Sequence, residues 1–151
     1  MPPALASAMN LTLIEEIGSL VGDSVRALDN WNRNKSVSGG AASPPQRALS
    51  VRGPYLNVMR DQRDGRNQER PAEDPWWCGE VGAAWIAGVQ DGVRSPWKDS
   101  RYTKATAEAV VFSTYSKETN RHAYVANVSL FDLEDTYFRP FQRMVKAGGA
   151  G

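Results

Sequence analysis

RDQRDGRNQERPAEDPWW, residues 60–77, holds four arginines, three aspartates and two glutamates and closes on a pair of tryptophans. Acidic and basic groups alternate instead of forming blocks, so the segment satisfies its own charges and has no need of a polyanion. Planar guanidinium groups beside carboxylates form bidentate pairs that hold a loop in one shape and leave one arginine to bind a ligand oxygen, such as a sugar presents. A solvated charged loop is the alternative that composition leaves open, because most surface ion pairs contribute little. Gly65 between Asp64 and Arg66 permits a tight turn, and Asp74 followed by Pro75 reads as an N-cap and first helical position. The stretch is a loop that runs into a helix.

Working outward, residues 55–59 read as a short apolar strand feeding that loop, and the helix extends from 75 to about 90. Trp77, Val81, Trp85 and Val89 recur four apart on one flank of it, a core stripe in preference to a sugar-stacking platform, and Gly92 supplies a stop. Strand, loop and helix together make a β/α unit, and in a parallel barrel ligand groups sit on loops at the C-terminal ends of strands. Upstream, Leu13, Ile14, Ile17, Leu20, Val21, Val25 and Leu28 recur at spacings of three and four and predict a core-facing helix over 11–28. Residues 1–10 are expected to be disordered, and the Ser-, Gly-, Asn- and Pro-rich residues 30–50 to form a flexible loop.

Downstream, 93–104 reads as another loop, and TAEAVVFSTYS at 106–116 as a buried strand or short helix. A polar turn at 117–121 precedes Ser129, whose spacing to Asp132 marks a helix start. Leu130, Leu133, Tyr137, Phe141, Met144 and Val145 form its apolar stripe, Pro140 should kink or split it, and 149–151 are a tail.

The bulk numbers bound the rest. With 151 residues, 41% hydrophobic and 23% charged, the chain is one globular domain or part of one. A net charge of +1 argues against nucleic-acid and membrane-surface partners. Lone Cys78 and lone His122 cannot build a zinc site, His122 reads as an ordinary polar residue, and no metal or cofactor is expected. The chain as given shows neither a basic leader with an apolar run nor a bilayer-length segment, so no export signal is read and the compartment stays open. Sequons stand at Asn10 and Asn127.

This string of residues resembles the N-terminal barrel domain of glycoside hydrolase family 3, above all its β-xylosidase and β-glucosidase members. Their segment is written RDPRWGR, a Gln-Glu, then Gly-Glu-Asp-Pro and a helix. Arg60, Asp61, Arg63, Gly65, Arg66, Gln68, Glu69, Pro71, Glu73, Asp74 and Pro75 agree with it. Farther out, GDSVRALDN at 22–30 resembles a worn form of the family's Glu-Ala-Arg-Ala run, and the segment from 122 resembles its Asp-Leu-Asp-Thr-Tyr helix and Pro-Phe. The resemblance spans 11–148 and implies an α/β fold: an incomplete (β/α)8 TIM-barrel-like fragment, parallel strands with flanking helices, three or four β/α units in all.

It also implies a retaining exo-β-glycosidase acting on a β-linked oligosaccharide or aryl glycoside, in a family whose members are often secreted. Arg66 falls on the arginine that binds a ring hydroxyl there, while Asp61, Arg63, Glu69 and Asp74 brace the loop as ion pairs. Retaining hydrolysis needs two carboxyl groups about 5 Å apart. In the family both come from later segments, so no catalytic residue is assigned here and the chain alone is expected to be inactive. Two departures stand out. Gln62 and Asp64 replace proline and tryptophan, with Asp64 placed to draw Arg66 off a ligand. Val110 and Val111 occupy the family's sugar-binding Lys-His positions, and valine neither donates nor accepts a hydrogen bond. A non-catalytic carbohydrate-binding or interaction remnant is therefore the alternative reading, and an uncovered barrel edge predicts association.

Overall fold

The computed structural model describes residues 3–37, 49–91 and 101–148. In chain order these form α1 (Pro3–Ala6), α2 (Leu11–Val37), strand β1 (Ser50–Tyr55), α3 (Pro75–Gln90), strand β2 (Thr106–Val110), α4 (Leu130–Asp132), which continues as a π-helical turn (Leu133–Tyr137), and α5 (Arg139–Gly148). β1 and β2 pair in parallel with Ser50 opposite Thr106 and Tyr55 opposite Val110. Parallel neighbours require a crossover connection, and α3 lies in it, so β1, loop 60–74, α3 and β2 build the expected β/α arrangement. The described residues hold two strands, fewer than the three or four units anticipated.

Helix α3 is the centre of packing. It is apolar nearly all round, which marks a helix surrounded by protein. One flank closes on α1 and α2 through Ala6, Ile14, Val81, Trp77 and Trp85. Another meets β1, β2 and α5 through Leu56, Ile86, Phe141 and Met144. Glycines set the distances: a Cβ on Gly88 would stand 2.1 Å from the Glu15 carbonyl oxygen, and one on Gly22 2.4 Å from that of Val89. The α2 and α3 backbones therefore touch directly. Lys104, buried, ties the start of β2 to α2 through Ser19 Oγ at 2.9 Å and Asp23 at 3.0 Å, while Arg26 Nε donates to the Lys104 carbonyl at 2.7 Å. Burial pushes the Cys78 thiol up to about 12.

Several expectations are corrected. Residues 3–10 are ordered: Ala6 is buried, Trp77 Nε1 donates to its carbonyl at 3.2 Å, and Asn10 caps α2 by accepting from Leu13 N at 3.0 Å. Helix α2 runs to Val37, through eight residues assigned to the flexible loop; residues 38–48 lie outside the described residues. Its polar end is held locally, with Arg33 on buried Asp29 at 2.6 Å. Leu13, Leu20 and Leu28 of the anticipated stripe are exposed, because α3 meets α2 along Ile14, Gly18 and Gly22.

The strand sits earlier than residues 55–59. It ends across a bulge at Gly53, φ +144°, after which Leu56 N still donates to Val110 O at 2.9 Å. Leu130 and Val145 are exposed, leaving Phe141 and Met144 as the buried part of the last stripe. The helical path breaks at Phe138, ahead of Pro140. Gly92, residues 93–100 and the 149–151 tail lie outside the described residues.

Candidate sugar site on the loop after the first strand

The loop leaving β1 closes as two short turns, Gln62–Asp64 and Asn67–Glu69. Asp61 caps the first by accepting from Arg63 N at 2.8 Å, and the left-handed Gly65, φ +94°, ends it. Asp61 also binds the Arg63 guanidinium at 2.6 Å, which holds its carboxyl well below the usual carboxylate range. Arg63 points into solvent, so this pair fixes its own turn and little else.

Arg66 is the convergence point. Its guanidinium binds both oxygens of Glu69, at 3.1 and 2.6 Å, donates to the Tyr55 hydroxyl, and lies 4.8 Å from the Tyr55 ring centre and 5.8 Å from that of Tyr115. Hydrogen bonding from Arg66 lowers the Glu69 pKa, and Glu69 raises that of Arg66. A fifth side chain, Glu118, brings Oε2 to 4.0 Å from Arg66 Nη1 and accepts from the Tyr115 hydroxyl.

Asp64 does not compete for the Arg66 side chain. It is buried and pairs with buried Arg70 at 2.7 Å; only the Arg66 backbone N–H reaches it, at 3.3 Å. Arg70 in turn donates to the carbonyls of Val58 at 3.0 Å and Tyr115 at 2.9 Å, stitching the loop after β1 to the segment after β2. Burial lowers the Arg70 pKa, opposed by the Asp64 charge. Buried Asn57 makes a second stitch: its amide donates to Val111 O at 2.8 Å and Ser113 O at 3.0 Å and accepts from Val111 N at 2.9 Å. Asp74 forms no ion pair among the described residues; it caps α3 by accepting from Trp77 N at 2.6 Å.

Glu69 thus pairs with Arg66, Asp61 pairs with Arg63, and Asp74 caps the helix. Arg70, Asn57 and Glu118 went unread. Arg70 alone carried a signal, a fourth arginine within an acid-matched stretch.

Val110 is buried and Val111 half-buried, at and just past the end of β2. An open hollow of about 470 Å³ lies beside the loop, lined by Asp61, Arg63, Asp64, Lys117, Thr119 and Tyr124 among others; Arg66 is not in its lining. His122 is exposed. Among the described residues no cluster of His, Cys, Asp and Glu is fit to hold a metal ion, and no helix is long and apolar enough to cross a membrane.

No protein-family model matches the chain. Individual proteins do. It is 32% identical over 155 residues to a β-xylosidase/α-L-arabinofuranosidase of Medicago sativa subsp. varia, covering 98% of this chain and 18% of that protein. It is also 32% identical to a xylan 1,4-β-xylosidase of Xylanibacter ruminicola, covering 96% of this chain and 16% of that protein. Among solved structures it is similar to DesR, a β-glucosidase from Streptomyces venezuelae in complex with D-glucose, with a TM-score of 0.73, 28% identity and coverage of 97% and 15%. A second is the GH3 exo-β-xylosidase XlnD bound to a xylobiose aziridine probe, with a TM-score of 0.70, 28% identity and coverage of 95% and 17%. The chain spans about a sixth of the length of these relatives.

Proposed function

We propose that this chain, similar over nearly its whole length to part of the family 3 β-xylosidases and β-glucosidases, carries in its 60–70 loop one part of a cradle for a β-linked sugar, with Arg66 as the contacting side chain. One observation carries the reading. Arg66 is paired with Glu69 and lies 4.8 and 5.8 Å from the ring centres of Tyr55 and Tyr115, beyond the C-terminal end of a parallel strand, and a few placed polar groups among aromatic faces are what small-molecule sites are made of. The activity in view is that of a retaining exo-β-glycosidase on a β-linked oligosaccharide or aryl glycoside. In this chain no carboxylate is assigned as nucleophile or acid/base, and its contribution is to hold the sugar.

A second reading, a non-catalytic carbohydrate-binding remnant, is favoured by Val110 and Val111, whose side chains give a sugar no hydrogen bond. Titration of the 151-residue chain with methyl β-D-xyloside and methyl β-D-glucoside, followed by NMR, tests the shared premise. Binding should weaken by about 1.5–3 kcal/mol in Arg66→Met, the range for a hydrogen bond to a charged group. Turnover of aryl β-xylosides that depends on Arg66 would exclude the remnant reading, and an Arg66→Met variant that binds as tightly as the parent would exclude both.

A further inference from the structure

The donors of Arg66 are unequally used. Nε–H goes to Glu69 Oε1, and Nη2 is shared between Glu69 Oε2 and the Tyr55 hydroxyl. Nη1 carries two more N–H groups, and the carboxylate oxygen it faces, Oε2 of Glu118, stands at 4.0 Å, outside hydrogen-bond distance. Two hydrogen bonds of about 2.8 Å in sequence span more than this gap, so one oxygen can bridge it. Such an oxygen must accept from Nη1 and donate to the carboxylate. A hydroxyl does both; an ether oxygen or a carboxylate cannot donate, and an ammonium group cannot accept.

Glu118 is held ready for this. Its backbone N–H donates to Asp64 O at 2.9 Å, its Oε1 accepts from Arg121 Nη1 at 2.9 Å, and its Oε2 accepts from the Tyr115 hydroxyl. It packs over Gly65, where an added Cβ would stand 3.1 Å from its own Cβ. Both side chains keep some exposure, 20% for Arg66 and 35% for Glu118, so the gap is reachable. The formal charges also sum to neutral: Arg66 and Arg121 against Glu69 and Glu118.

We infer that Glu118 is a second sugar-contacting residue, which with Arg66 Nη1 reads one hydroxyl of a neutral saccharide through an acceptor and a donor bond to the same oxygen. The pair supplies polar recognition that the Val110 and Val111 side chains do not, and it selects against uronic acids, whose carboxylate would face Glu69 and Glu118. The inference rests on the reading of Arg66 as a sugar contact.

The test is NMR titration of the full chain and its Glu118→Gln and Glu118→Asp variants with methyl β-D-xyloside, its 2-, 3- and 4-monodeoxy analogues and methyl β-D-glucuronide. Glu118→Gln should weaken xyloside binding about 10-fold, Glu118→Asp less, and the glucuronide should bind the parent at least 10-fold more weakly than the xyloside. For one deoxy analogue the difference between parent and Glu118→Gln should vanish, naming the hydroxyl. Unchanged xyloside binding in Glu118→Gln, with loss in Arg66→Met, overturns the role of Glu118 and leaves Arg66 standing. Equal weakening of every analogue makes Glu118 a support of the loop and overturns it too. No xyloside binding by the parent overturns both.

Discussion

Arg70 has the least freedom of any charged side chain in the loop. Its guanidinium is enclosed with Asp64, and its remaining contacts are main-chain oxygens of two separate segments. Removing one member of a buried pair leaves the other charged and unmatched, a loss of about 3–5 kcal/mol. Arg70→Met should lower the urea midpoint accordingly, and Asp64→Leu with Arg70→Met should be less destabilised than either single change. Glu69 gives a pH signature. Arg66 lowers its folded-state pKa below the ordinary 4.5, so on acidification the unfolded chain takes up that proton first. The stabilisation is complete above about pH 4.5 and is lost as pH falls through the depressed folded value. Glu69→Gln should flatten the acid limb of stability against pH, as read by urea denaturation from pH 6 down to pH 3. Alternating charge announced an ordered loop, but which acid takes which arginine depends on burial, and so Arg70, not Arg66, came to hold Asp64.

At the scale of elements, legibility followed the strength of local signals. The helix from Pro75 to Gln90 was readable because Asp74, Pro75 and a four-residue apolar spacing agree, and Ser129 announced its own helix. The end of α2 was not, since WNRNKSV has no apolar period and is carried by continuation of a helix already anchored on α3. Nor was the packed face of α2, where Gly18 and Gly22 lie against α3 while larger residues point outward. Hydrophobic periodicity finds side chains; a contact made through their absence leaves no such mark. Gly88→Ala tests it. Alanine is the better helix former by about 1 kcal/mol, yet its Cβ would collide with the Glu15 carbonyl, and overpacking of this kind typically costs about 1–3 kcal/mol. Thermal unfolding should show net destabilisation; a rise in Tm would mean the helices part without penalty.

At the scale of the molecule, the parallel sheet, two-stranded among the described residues, stands out against the rule that such sheets are enclosed on both faces and at their edges. Phe112, Leu130 and Phe131 are each more than 70% exposed, close in chain to the strand end or the last helical segment. Apolar surface of that kind drives association. Sedimentation velocity should show a coefficient that rises with concentration for the 151-residue chain, and Phe131→Lys should reduce the rise; a concentration-independent monomer would contradict this. The resemblance to a barrel was legible from motif spacing, whereas the number of strands was not, because loop composition says nothing about pairing.

The stitches made by Asn57 and Arg70 close on main-chain groups at Val111, Ser113 and Tyr115 and never on the side chains there. Shape and chemistry are thereby decoupled at Val111 and Ser113, where side chains can change while the backbone path stays put, whereas Phe112 still packs its ring on Phe138 and Phe141. Such a stretch is open ground for grafting.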